Sequence, residues 1–125
     1  MPPRRIERIN DLLREVIAEV VARELKDPRL EGSLISITEV RAAANLQRAR
    51  VLVSVMGTEE QAEEALAALT RSSAFVWRTI RPRLNLRTVP ELRFELDDRI
   101  AQDRHFQDLL KDLEGAPGFS EDDAS

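Results

Sequence analysis

Between Trp77 and Arg93 the chain reads WRTIRPRLNLRTVPELR, with five arginines (Arg78, Arg81, Arg83, Arg87 and Arg93) against the single acid Glu91. A guanidinium is a permanent cation whose planar fork of donors matches phosphate oxygens, so the chemistry on offer is polyanion binding rather than bond-making. Arg78 and Arg81 are three apart and share a helix face. Arg71 lies two turns before Arg78, so the three line one side of a helical pair, and Arg83 and Arg87 follow in the loop beyond. Arg4, Arg5 and Arg8 form a second group against Glu7, and Arg48 and Arg50 stand on a strand. Together they could neutralise several phosphates, with salt-dependent affinity. The plainer reading pairs the arginines with the helical acids Glu63 and Glu64, or leaves them merely solvated. Trp77 fits the core face less well than its neighbours Val76 and Ile80. It therefore serves either in helix packing or, partly exposed, as a stacking surface.

The basic stretch sits in a chain of formal charge −4. Glu114, Glu121, Asp122 and Asp123 account for this difference, because without them acids and bases balance at 19 each. Charge is thus segregated, with a neutral body, a local arginine surface and an acidic end. Of the 19 bases, 17 are arginine, a ratio that suits phosphate binding but that a compositional bias would also produce.

Other chemistries find little support. There is no cysteine, hence no disulfide, thiol nucleophile or thiolate metal site. The single histidine, His105, lies beside Phe106 with no serine or cysteine at motif spacing, and suits a surface or packing role. The carboxylate pairs Asp97-Asp98 and Glu59-Glu60 fall at element ends, where capping and solvation explain them better than a metal. No phosphate-binding glycine loop is present among only four glycines. The reading is of a protein with no active site, no cofactor and no metal. No apolar run approaches 20 residues, and no apolar run follows the early arginines, so neither a membrane span nor a signal peptide is expected and the cytoplasm is the expected location.

The elements that must position the arginines follow from periodicity. Ile6, Ile9, Leu13, Val16/Ile17, Val20/Val21 and Leu25 recur in steps of three and four, predicting a helix of about twenty residues that stops near Lys26, before Asp27-Pro28. LISITEV (34–40) and RARVLVSV (48–55), separated by a break at Ala44-Asn45, predict an antiparallel strand pair. Val51, Val53 and Val55 face one way, Arg48, Arg50, Leu52 and Ser54 the other. Thr58 and Gln61 have capping-box spacing at the start of a second helix carrying Ala62, Ala65, Leu66 and Leu69. A kink at residues 71–74 leads to a third helical piece with Val76, Ile80 and Leu84, which Pro82 bends or ends. ELRFELD supplies a third strand, with Leu92, Phe94 and Leu96 alternating against Arg93, Glu95 and Asp97. A last helix is expected from about Gln102 to Leu113, ended near Gly115. The result is a two-layer α+β domain over residues 1–113, with one sheet face covered and the other solvated, followed by an acidic, disordered tail at 114–125.

Three strings carry a resemblance. These are RRIERINDLLREVIAEVVARELKDPRL, ITEVRAAANLQRARVLVSV and LRTVPELRFELDD, in this order and spacing. From Arg4 to Leu113 the chain resembles the ribosome-binding factor A family of bacterial small-subunit assembly factors. The resemblance implies a KH-like type II fold, in which an Ala-x-Gly kink replaces the usual Gly-x-x-Gly loop between helices. The matching positions here are Ser72, Ser73 and Ala74, which keep small size but lose the glycine, a change that bears on the sharpness of the kink and not on the fold. Asn45-Leu46 stands where the family commonly has Asp-Leu, and asparagine supports a turn as well as aspartate does.

The resemblance further implies a non-enzymatic monomer that binds the free, immature 30S subunit and its 16S rRNA. Such a factor assists late pre-16S rRNA processing, notably in the cold, alongside ribosome-associated GTPases. The RNA-facing residues would then be Arg4, Arg5, Arg8, Arg48, Arg50, Arg71, Arg78, Arg81, Arg83 and Arg87. Two other readings stay open. One is a protein-interaction adaptor whose arginine patch docks an acidic partner. The other is a KH-like module for mRNA, against which the missing glycine loop speaks.

Overall fold

The structure is a computed structural model that describes residues 3–25, 30 and 34–97. The expected last helix with His105, the tail at 114–125, the Asp27-Pro28 stop and Asp98 lie outside the described residues. Helix α1 (Pro3–Arg23) is followed by strands β1 (Leu34–Ala42) and β2 (Arg48–Met56), helices α2 (Glu59–Arg71) and α3 (Ser73–Ile80), a 3-10 turn (Arg81–Arg83) and strand β3 (Glu91–Leu96). The sheet order is β1-β2-β3, with β1 antiparallel and β3 parallel to β2. This is the two-layer α+β, KH-like arrangement expected.

One apolar layer joins helices to sheet. Ile9, Leu13, Ile17, Val20 and Val21 of α1 pack with Val51 and Val53 of β2, Leu69 of α2, Val76 and Ile80 of α3, and Leu92 and Phe94 of β3. The α1 residues among these are the ones whose spacing predicted the helix, which ends at Arg23, three residues before Lys26. Its last orphan carbonyls are used in part, since both Glu24 N and Leu25 N donate to the Val20 carbonyl.

The β1–β2 turn is closed by Ala43 N donating to Arg48 O at 2.8 Å, with Leu46 in left-handed geometry at φ 59° and the Asn45 side chain accepting from Gln47 N. Helix α2 opens with the expected capping box. Gln61 N donates to Thr58 Oγ1, and the Gln61 carboxamide accepts from Thr58 N. Gly57 precedes it at φ 136°, where a β-carbon would collide with the Gln61 side-chain oxygen.

Two features depart from simple alternation. In β1, Ile37 lies opposite Val53 but Glu39 lies opposite Leu52, so Thr38 is an extra residue in a bulge. Its hydroxyl lies 2.8 Å from Asp97 Oδ2 and 3.1 Å from the Leu52 carbonyl, reaching across β2 to the end of β3. Leu52 does stand on the face away from the main core, as alternation requires, but it is buried there, at 5 % exposure.

Candidate nucleic-acid interface

Hydrogen bonds place most of the arginines relative to the two ends of the sheet. Asn10 Oδ1 accepts from Ala42 N at 2.9 Å, fixing the first part of α1 beside the end of β1, and Glu91 N donates to Gln47 O at 3.0 Å, bringing the start of β3 to the same turn. Arg4, Arg5 and Arg8 on the opening turns of α1 therefore share one end of the molecule with Arg48, which opens β2. All four are exposed and form no ion pair among the described residues.

The kink joins them at this end. Ser72 caps α2 and at once precedes α3, with φ −89° and ψ 0°, and its N–H donates back to Ala68 O and Leu69 O. The turn of direction needs no left-handed residue, so serine and alanine satisfy it without the family's glycine. Ser73, Ala74 and Trp77 on one face of α3 look onto Gln47, Val89, Glu91 and Leu92 across a cleft of about 380 Å3. A second cleft of about 510 Å3, between Thr70 and Ser73 on one side and Arg48, Arg93 and Phe94 on the other, adjoins it through Ser73, Glu91 and Leu92. Amides alternate along a parallel ladder, and those of Glu91 and Asp97 point to β2, donating to Gln47 O and Val53 O. The amides of Leu92 and Phe94 consequently point away from β2.

The remaining predicted residues do not form one spot. Arg71 and Arg78 are exposed along the kinked pair and Arg87 is exposed in the segment leading to β3. The Arg81 guanidinium lies 5.1 Å from the Trp77 ring centroid, a cation–π stack. Trp77 itself is half-buried against the core, and its Nε1–H donates to Val89 O at 3.0 Å, so the indole packs the helix while one edge lines the cleft.

Arg83 donates to Glu24 Oε1 at 2.7 Å, at the far end of α1 from Arg4. At 1.5 Å per residue these ends stand about 30 Å apart. Arg50 lies on the open sheet face, bidentate to Glu95 at 2.7 and 3.2 Å. That contact, foremost, holds the Glu95 carboxyl below its ordinary value; desolvation opposes it, and the charges of Arg50 and Arg93 add to it. Of the arginines assigned to RNA, Arg50 and Arg83 are thus held by Glu95 and Glu24, which are not the Glu63 and Glu64 of the plainer reading.

The open face carries an order that strand alternation alone did not disclose. Arg41, Arg50 and Arg93 lie side by side across the three strands, and the next row is Glu39, Leu52 and Glu95. Rows of like charge alternate, which places Glu39 within 2.6 Å of Arg41 and Glu95 beside Arg50. Arg93 was readable as wet-face from its phase in β3; Gln47 and Glu91 as cleft residues were not, because the cleft is closed by α3 from another part of the chain.

Comparison with known proteins decides the family. The model for "Ribosome-binding factor A" matches residues 5–110. The chain belongs to the ribosome-binding factor A family. Ribosome-binding factor A of Acetivibrio thermocellus is 41 % identical over 118 residues, 94 % of this chain and 95 % of that one, and its counterpart in Thermomicrobium roseum is 39 % identical over 114 residues, 91 % and 87 %. The crystal structure of ribosome-binding factor A from Thermus thermophilus is similar at a TM-score of 0.64 and 27 % identity, covering 73 % of this chain and 93 % of that one. A homology model of the Thermus thermophilus factor, fitted into the cryo-EM map of a 30S complex, is similar at a TM-score of 0.57 and 29 % identity, covering 69 % and 88 %. Ribosome-binding factor A is a family of ribosome-binding proteins and not of enzymes. Among the described residues no helix is long and apolar enough to cross a membrane, and no three or more His, Cys, Asp or Glu side chains are grouped so that they could hold a metal ion.

Proposed function

We propose that this chain binds the free 30S subunit through its 16S rRNA and assists late maturation of that RNA. The observation that carries this reading is the likeness to the Thermus factor fitted into a 30S complex. The charge distribution supports it. Arg4, Arg5, Arg8 and Arg48 gather around the kink end as a phosphate-facing surface, and Arg71, Arg78, Arg81 and Arg87 extend it along the kinked helices and the segment leading to β3. Arg50 and Arg83, already held by Glu95 and Glu24, contribute less. Phosphate contacts of this kind position a protein on folded RNA, and the shape of the rRNA provides selectivity. Ribosome-associated GTPases act on the same particle.

The test is sedimentation of cell lysate at low and high salt. Residence on free 30S subunits that is lost as salt rises is expected, because counterion release makes phosphate binding steeply salt-dependent. Absence from every ribosomal fraction at low salt would end this reading. A partner set insensitive to ribonuclease and salt would favour the protein adaptor instead.

A further inference from the structure

We propose that the cleft at the kink holds one unpaired guanine, with its Watson–Crick edge on the Glu91 carboxylate. The inference rests on the reading of the chain as an rRNA binder and assigns a ligand to one place on that surface.

The cleft has the make-up of a base pocket. Val89 and Leu92 are buried and give it an apolar wall, Trp77 adds an aromatic edge, and Ser73 and Ala74 keep the kink side open because they are small. At about 380 Å3 it has room for a base with its ribose. An adjoining cleft opens onto Arg48 and Arg93, where the flanking phosphates would lie.

Glu91 is the residue that needs explaining. It is exposed at the junction of both clefts and forms no ion pair among the described residues, although Arg48 stands directly opposite it on β2. A carboxylate in the middle of a phosphate-binding surface repels the ligand unless it accepts hydrogen bonds from it. An ionised carboxylate only accepts, through two oxygens. Among the four bases only guanine presents two adjacent donors on its Watson–Crick edge, N1–H and the N2 amino group. Adenine and cytosine each present a single amino donor beside an acceptor, and uracil places its one donor between two acceptors. Two charge-assisted bonds to guanine would turn the repulsion into selection. Gln47, which lines the same cleft and whose backbone carbonyl accepts from Glu91 N, carries the amide donor that the neighbouring guanine O6 requires. Arg48, opposite Glu91, supplies the cation for the phosphate.

The test uses the full chain and four labelled RNA hexamers of uridine in which one central position is G, A, C or U, with 30S co-sedimentation measured in parallel. The parent protein is expected to bind the G hexamer about tenfold more tightly than the others, within the discrimination typical of a bidentate pair. Glu91→Gln is expected to bring all four within twofold while leaving the urea unfolding midpoint and the salt dependence unchanged. A merely structural Glu91 would not move base preference. Equal binding of the four hexamers, no binding of any, or a G preference that survives Glu91→Gln overturns the base pocket. If 30S binding persists in those cases, the rRNA reading stands without the pocket; if 30S binding is absent too, both fall.

Discussion

The indole Nε1 of Trp77 donates to the backbone carbonyl of Val89 at 3.0 Å. This single bond ties α3 to the segment that leads into β3, and so fixes two walls of the cleft at the kink. It also decides how the only tryptophan of the chain is used: the ring is a packing element with one accessible edge, not a free stacking platform. Trp77→Phe keeps most of the apolar contact but removes the donor. The expected result is a loss of about 1–3 kcal/mol in urea unfolding, the cost of leaving a part-buried carbonyl without its partner.

The opening of α2 depends on residues 57 and 58 acting with Gln61. Thr58→Ala removes the acceptor for Gln61 N and is expected to cost about 1 kcal/mol. Gly57→Ala places a β-carbon against the Gln61 side chain at a φ of 136°, and is expected to cost at least as much as losing the cap. Thermal unfolding of the two variants checks both, and an unchanged melting temperature for Gly57→Ala would contradict the geometry.

Glu95 links stability to pH. Its carboxyl is held below the ordinary 4.5, chiefly by the hydrogen bonds from Arg50, so the folded chain releases this proton more readily than the unfolded one. The stabilisation is therefore fully present above about pH 4.5 and is lost as pH falls through the lower folded value. Glu95→Gln is expected to cost about 0.2–1 kcal/mol at pH 7, since the pair is partly exposed. The gap between variant and parent should then close in urea titrations below pH 4.5.

Arg83 separates stability from binding. Its partner Glu24 has a buried Oε2 with no hydrogen bond, so Arg83→Ala leaves that carboxylate without its cation. A loss of about 0.2–1 kcal/mol in stability is expected. Affinity for 30S subunits should change by less than about twofold, the shift expected when no phosphate contact is lost.

How much of this was legible beforehand depends on the range of the interaction. Periodicity and local chemistry announced α1, the capping box, the glycine-free kink and the inward valines of β2, because each is decided within a few residues. The bulge had a trace: Ile35 and Ile37 are two apart, but Val40 follows after three. The partners of Arg50 and Arg83 could not be read, since Glu95 and Glu24 lie 45 and 59 positions away and meet them only through the fold. The same holds for β3, whose pattern shows one buried face but not that it lies parallel to β2. The arginines illustrate the limit best. Their density suggested one surface, whereas α1 carries Arg4 to one end of the molecule and leaves Arg83 at the other.

The most direct test is the affinity of purified 30S subunits for the parent protein and for a variant with Arg48→Glu, Arg78→Glu and Arg87→Glu, measured across a series of salt concentrations. These three residues hold no acid among the described residues, so reversing them leaves the fold intact, which circular dichroism checks. Affinity for the parent is expected to fall steeply with salt. The variant is expected to lose at least about tenfold and to show a shallower slope, by roughly 0.7–0.9 per phosphate contact removed. A folded variant with the same affinity and the same slope would contradict the claim that this surface holds the ribosome.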